Sequence, residues 1–110
     1  MKTIKKENCL ILTDEKDNVV DFAAYLEASY DRIKNNHLVI DISKYGQLKL
    51  QELLAFLPLS NKHRKKKKSF ILVNDTINID PVPDEMVIAP TLREAEDILQ
   101  MEEIERDMGF

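Results

Sequence analysis

The stretch Leu-Val-Ile-Asp-Ile-Ser-Lys-Tyr-Gly-Gln-Leu-Lys-Leu-Gln-Glu at residues 38–52 constrains this chain more than any other. It reads as a buried strand that ends in Asp41, Ile42 and Ser43. A short polar loop at Gly46 follows, and then an apolar-faced helix. Two further runs repeat its first part, Cys9-Leu10-Ile11-Leu12 and Phe70-Ile71-Leu72-Val73. Short unbroken apolar runs fit strands covered on both faces, as in parallel sheets. In open sheets of that kind, ligands and partners gather at the carboxyl ends of the strands. The segment therefore indicates a fold and a place on it.

Helical patterns alternate with the strands. Asp17 or Asn18 can cap a helix from residue 19 to about residue 34, with Val19, Phe22, Ala23, Leu26, Tyr30 and Ile33 on one stripe. The next helix runs from about Leu48, with Leu50, Leu53, Leu54 and Leu57 inward. Pro58 lacks the N–H that would bond back to Leu54, so the helix kinks or breaks there. In the last helix Thr91 and Glu94 form a capping box behind Pro90. Leu92, Ala95, Ile98 and Leu99 make its buried face, extended by Met101, Ile104 and Met108. Gly109 takes the left-handed position that closes the helix, Phe110 folds back on Ile104, and a chain ending on such a cap reads as complete. Pro81 and Pro83 exclude a long helix between Val73 and Thr91, and residues 86–89 read as a short final strand. With a weak first strand at residues 3–5 and a better one at 8–13, the order is β-β-α-β-α-β-β-α. That order predicts a single α/β domain over residues 1–110, with a mostly parallel mixed sheet, right-handed crossovers and flanking helices.

Several classes of function are excluded by what is missing. No apolar run approaches the roughly 20 residues of a membrane helix, and no signal-type apolar region follows the basic start. Cys9 is the single cysteine. It has no disulfide partner and reads as a small core residue, so the expected compartment is the cytoplasm. Gly46 and Gly109 are the only glycines, too few for a Gly-rich phosphate cradle, and no cofactor is expected. A lone cysteine with two scattered histidines is not a catalytic triad. His37 and His63 are expected at the surface. They stand 26 residues apart, without the clustered His and Asp ligands that a zinc-dependent RNA-processing nuclease requires. The chain reads as a protein without enzymatic activity and without a metal site.

Net charge is −4, but the charges are segregated. Residues 44–68 carry eight Lys or Arg against one acid, Glu52, whereas residues 75–110 carry eleven acids against two Arg. The turn containing Lys62, Arg64, Lys65, Lys66, Lys67 and Lys68 is a candidate anion site for RNA or another polyanion. The acidic total charge favours the plainer reading of a solvated helix end, where Lys and Arg complement the dipole. Single-strand readers interleave aromatics with basic residues, and this run has none before Phe70. Glu102, Glu103, Glu105 and Asp107 crowd the other kind of helix end, where the dipole disfavours negative charge. No compensation for them is visible in the sequence, which flags a partner surface. Asp41 interrupts a buried strand and is expected to cap the following loop by accepting N–H bonds.

The order of elements resembles the STAS family, the domain of sulfate transporters and bacterial anti-sigma-factor antagonists. Val39-Ile40-Asp41-Ile42-Ser43 is similar to the strand before that family's functional loop, and residues 48–57 to the helix that follows. The basic turn into Ser69-Phe70-Ile71-Leu72-Val73 and the opening Thr91-Leu92-Arg93-Glu94-Ala95 also match. The resemblance implies a regulatory, bacterial, non-catalytic module that binds a protein partner. Its contact surface is expected at Ser43, Lys44, Tyr45, Gly46, Gln47, Lys49 and Gln51, with Tyr45 as an aromatic anchor. Regulated members of the family carry Asp-Ser-Ser/Thr-Gly at the helix start, where a kinase partner phosphorylates a serine. The corresponding stretch here is Lys49-Leu50-Gln51-Glu52, which has no hydroxyl, and Ser43 lies six residues too early. The alternatives to protein binding are RNA or anion binding by the basic turn and a small-molecule or nucleotide site at the strand ends.

Overall fold

Each long apolar run is a strand. In the computed structural model, which describes residues 1–109, the strands are β1 (Lys2–Lys5), β2 (Cys9–Thr13), β3 (His37–Asp41), β4 (Phe70–Val73) and β5 (Val87–Ala89). They form one sheet in the order β1-β2-β3-β4-β5. β1 is antiparallel to β2, and the other neighbours are parallel. The sheet is thus the mostly parallel mixed sheet expected from the alternation. The final strand starts one residue later than expected, where pairing with β4 begins at Val87, and Met86 before it is buried in the core.

The period of two along the strands divides the core between two faces. Leu10, Leu12, Leu38, Ile40, Phe70 and Leu72 point to one face. Cys9, Ile11, Val39, Ile71, Val73 and Ala89 point to the other. On the first face lie α1 (Val19–Ala28), α2 (Tyr30–Ile33), α3 (Leu50–Leu54) and α4 (Leu57–Lys65). On the second lies α5 (Leu92–Asp107), through Ala95 and Leu99. Strands added steadily in one direction by crossovers of one hand carry their connections on one face. Only the helix after the last strand is left to cover the opposite face. Each fully buried Leu, Ile or Phe contributes about 1.5–3 kcal/mol, so the β2–β3–β4 centre holds the fold together.

Three helix expectations change in detail. The helix expected over 19–34 breaks at Ser29, whose φ of −96° and ψ of 5° are not helical. Tyr30 and Ile33 beyond the break are buried, as expected, and the Ser29 hydroxyl accepts a bond from Arg32 at 2.9 Å. The helix expected from Leu48 divides near Pro58, as its missing N–H requires. The second piece restarts at Leu57, with the proline in its first turn, where that N–H has no helical partner to lose. Leu50, expected inward, is 36% exposed, whereas Leu53 is buried. Met101, Ile104 and Met108 do not extend the buried face of α5, since all three are exposed. The Thr91 hydroxyl accepts from the Glu94 N–H at 3.1 Å, and Gly109 has φ +84° in the closing position. The expected packing of Phe110 lies outside the described residues.

The histidines are the largest correction. His63, expected at the surface, is fully buried, and His37 is half-buried. His63 Nε2 lies 2.8 Å from the Asn36 carbonyl, and Nδ1 lies 2.8 Å from the Tyr30 hydroxyl. A carbonyl can only accept, so Nε2 carries the proton and Nδ1 accepts from the tyrosine. Burial pushes the His63 imidazole down to about 4, and the ring is neutral. His37 Nδ1 accepts from the Ser69 N–H at 2.9 Å, leaving Nε2 3.2 Å from the Glu103 carboxylate.

Candidate functional site

The loops after β2, β3 and β4 meet at the carboxyl ends of the parallel strands. Asp41 caps its loop as expected, accepting from the Ser43 N–H at 3.0 Å. The chain then makes a single 3₁₀ turn, Ser43–Tyr45. It leaves that turn through Gly46 at φ +66° and ψ −135°, a conformation strained for any residue with a Cβ.

Asn74 locks this loop to the next one. Its Nδ2 donates to the carbonyls of Ile42 (3.1 Å) and Gly46 (2.8 Å). Its Oδ1 accepts from the N–H (2.8 Å) and the hydroxyl (2.7 Å) of Thr76. The Ser43 hydroxyl adds a bond to the Val73 carbonyl at 3.3 Å. Asn74 is buried, and its four side-chain bonds run from that buried position to a part-buried rim. Sequence reasoning missed it. The only signal was a polar residue directly after the buried run of β4.

The β2 loop braces the same turn from the other side. The Lys44 ammonium donates to the Asp14 carbonyl at 2.9 Å and to the Lys16 carbonyl, and it lies 3.5 Å from the Asp17 carboxylate. Tyr45 donates its hydroxyl to the Asp14 carboxylate. Burial, reinforced by that carboxylate, raises the phenol well above its ordinary value. Burial also pushes the Asp14 carboxyl up, but bonds from Tyr45 and the Lys16 N–H, with the Lys44 charge, bring it below the usual range. Lys44, although exposed, and Tyr45 therefore have their polar ends engaged by the β2 loop. Tyr45 is half-buried, in contrast to a free aromatic anchor.

Of the expected contact residues, Ser43, Gln47, Lys49 and Gln51 are exposed around the turn, and Gly46 is half-buried beneath them. Lys49 stands directly before the first turn of α3 and offers no side-chain acceptor. Its own N–H is capped by the Glu52 carboxylate at 2.9 Å. Between α3 and the β4–β5 loop lies a small groove of about 160 Å³, lined by Gln47, Leu48, Leu50, Leu53, Thr76, Ile77, Asn78 and Pro81. Leu50 and Ile77 were not among the expected contacts. A signal for Leu50 existed, because Leu48 and Leu50 stand two apart and cannot share one helical stripe.

The basic turn is less available than its sequence suggests. Lys62 pairs with Glu27 at 3.1 Å and lies 4.4 Å above the Tyr30 ring, and Lys66 lies 5.0 Å from the same ring. Arg64 donates to the Phe70 carbonyl (3.0 Å) and to Glu102 (3.3 Å). Lys68 is half-buried, which leaves Lys65, Lys66 and Lys67 as exposed charges without an ion pair among the described residues, Lys66 lying beside the Tyr30 ring. Glu102 and Glu103, read as uncompensated, are compensated from other elements. Glu102 accepts from the Ser69 hydroxyl at 2.6 Å and pairs with Arg64 and Arg106, and Glu103 faces His37.

Among the described residues no group of three His, Cys, Asp or Glu side chains is placed to hold a metal ion. No described helix is long and apolar enough to cross a membrane.

One antiparallel strand beside four parallel strands, with helices grouped on one face and a closing helix on the other, makes a small α/β fold around a five-stranded mixed sheet, the type of fold seen in STAS domains. Among solved structures the chain is similar to a serine-to-glutamate variant of RsbS from Moorella thermoacetica. The TM-score is 0.62 at 17% sequence identity, over 90% of this chain and 93% of that one. The likeness is one of fold. No protein-family model matches the sequence, and no curated protein does.

Proposed function

We propose that this chain is a non-catalytic regulatory domain of the cytoplasm that binds a protein partner through the loop and helix start at residues 43–51. The observation that carries the reading is the Asn74 clamp. It holds two loops as one rigid rim, which presents Leu50 and Ile77 in a groove beside the exposed Ser43, Gln47, Lys49 and Gln51. An apolar centre with a polar rim on a preorganised frame suits protein recognition. The STAS-type fold supports the same reading. Residues 49–52 carry no hydroxyl, so regulation here operates without a phosphate at that helix start.

Capture from lysate of the source cell tests this, using wild type, a Leu50→Asp/Gln51→Lys variant and a Lys65→Gln/Lys67→Gln variant. The expected result is one protein retained at moderate salt by wild type and by the lysine variant, and lost with the loop variant at unchanged Tm. Nucleic acid retained only at low salt, and lost with the lysine variant, would establish the RNA reading in its place.

A further inference from the structure

The last helix reverses its amphipathic side halfway along. Over its first two turns the apolar residues Leu92, Ala95, Ile98 and Leu99 face the sheet. From there the sheet-facing positions are polar: Glu102 and Arg106 meet Arg64 and Ser69, and Glu103 meets His37. The apolar residues cross to the outer side. Met101, Ile104 and Met108 are 62%, 57% and 64% exposed, and their i, i+3, i+7 spacing puts them on one stripe. Exposed large apolar residues in a contiguous row mark interaction sites more often than single ones do.

The inner network fixes this orientation. Rotating the helix to bury Met101 and Ile104 would break the 3.3 Å Arg64–Glu102 contact, the 2.6 Å Ser69–Glu102 bond and the 2.9 Å Arg106–Ser69 bond together. The stripe is thus displayed by a rigid element, so little ordering is needed on binding. Its charges indicate the occupant. Asp97 lies one turn before Met101 on the same side, and Glu105 and Asp107 flank the stripe. None of these three is in an ion pair among the described residues, unlike Glu96, Glu102 and Glu103.

We infer that the outer face of α5 is a second docking surface, which accepts a basic amphipathic helix of another protein. Such a helix lays its apolar row on Met101, Ile104 and Met108 and sets Lys or Arg against Asp97, Glu105 and Asp107. The alternatives match poorly. A second copy of this helix brings the same acids. The basic turn of a second copy has the charge but no exposed apolar side chain. An anionic lipid surface is repelled. Thioether side chains suit the site, because they repack around different apolar partners.

The test uses synthetic helical peptides and protein labelled at the Met and Ile methyl groups. One peptide has Leu at i, i+3, i+4 and i+7 with flanking Lys. A second has the same composition with the spacing scrambled. The expected result is saturable binding of the first peptide, with methyl shifts at Met101, Ile104 and Met108. Binding should weaken at least about tenfold for the scrambled peptide and for an Ile104→Glu variant of unchanged Tm. Equal binding of both peptides, shifts confined to other methyl groups, or unaltered binding by Ile104→Glu would overturn the inference. A concentration-dependent dimer abolished by Ile104→Glu would overturn it in favour of a second copy. Binding at residues 43–51 plays no part in these readouts, so either surface can fail alone.

Discussion

The two ends of the sheet handle polar groups in opposite ways. At the amino ends of β3 and β4, Tyr30, His63, Asn36, His37 and Ser69 bond one another across elements far apart in sequence. At the carboxyl ends the bonds of Lys44 and Asn74 span similar separations in sequence, but most lie at an exposed or part-buried rim, and polar side chains around them remain in water. A buried network is costly to break and cannot rearrange for a partner. A rim open to water keeps exposed groups available for contact. The comparison assigns stability to the amino end and is consistent with the proposal that recognition belongs to the carboxyl end.

The sharpest way to break this division is at His63. Replacement by Ala leaves the Tyr30 hydroxyl and the Asn36 carbonyl unpaired in a cavity, with an expected loss of about 3–5 kcal/mol in denaturant unfolding. The same residue sets a pH dependence. Its folded-state value lies near 4, below the ordinary 6.5, so the unfolded chain takes up the proton first as pH falls. Stability is complete above about 6.5 and declines between there and 4, by an amount on the order of 3 kcal/mol. Burial lowers His37 as well, with the same sign. A His63→Gln variant should show a much flatter profile between pH 6.5 and 4. An unchanged slope would assign the acid sensitivity elsewhere.

Asn74→Ala is the corresponding test at the carboxyl end. Four bonds are lost, but the carbonyls of Ile42 and Gly46 lie near a rim that water can reach. The expected cost is about 2–3 kcal/mol, with faster amide exchange over residues 42–49 than over β3. A smaller effect follows from Gly46→Ala. No atom lies within 4 Å of the added Cβ, so the cost is purely conformational, about 1–2 kcal/mol. Uniform exchange across both loops and β3 in the Asn74 variant would mean that the rim is not a separate unit.

The span of each contact along the chain explains what the sequence discloses. Strands and their faces were legible, because Leu10, Leu38 and Phe70 alternate with Cys9, Val39 and Ile71 under a simple period of two. The turn after Asp41 was legible, because its capping bond spans two residues. His63 was not, because it lies within a run of lysines and its partners Tyr30 and Asn36 are 33 and 27 residues away. The inward spacing of Leu59 and His63 was the available sign. Compensation of Glu102 was hidden for the same reason, since Arg64 and Ser69 reach it across 38 and 33 residues. Composition alone likewise could not show that α5 turns its methionines outward, because that depends on which side the ion network claims.

The mildest prediction separates charge from backbone in the basic turn. Lys67 has φ +61°, the only non-glycine residue at positive φ among those described. Its N–H bonds the Arg64 carbonyl at 2.9 Å, and the Lys68 N–H bonds the His63 carbonyl at 3.3 Å. This is the Schellman closure of α4, in which Lys67 takes the position where glycine is favoured. A left-handed L-residue costs roughly 1–2 kcal/mol, offset by the greater unfolded-state freedom of glycine. Lys67→Gly should therefore raise stability by about 1 kcal/mol, read as a higher midpoint at unchanged denaturant slope. Lys67→Ala should bring no comparable gain, although it removes the same charge. If both variants stabilise equally, repulsion among the lysines is the destabilising feature, and adding salt should reproduce the effect in the wild type. If only glycine does so, the turn tolerates backbone strain to keep a lysine facing outward at a point where Lys62 and Lys66 lie along the Tyr30 ring and Arg64 bonds Phe70 and Glu102.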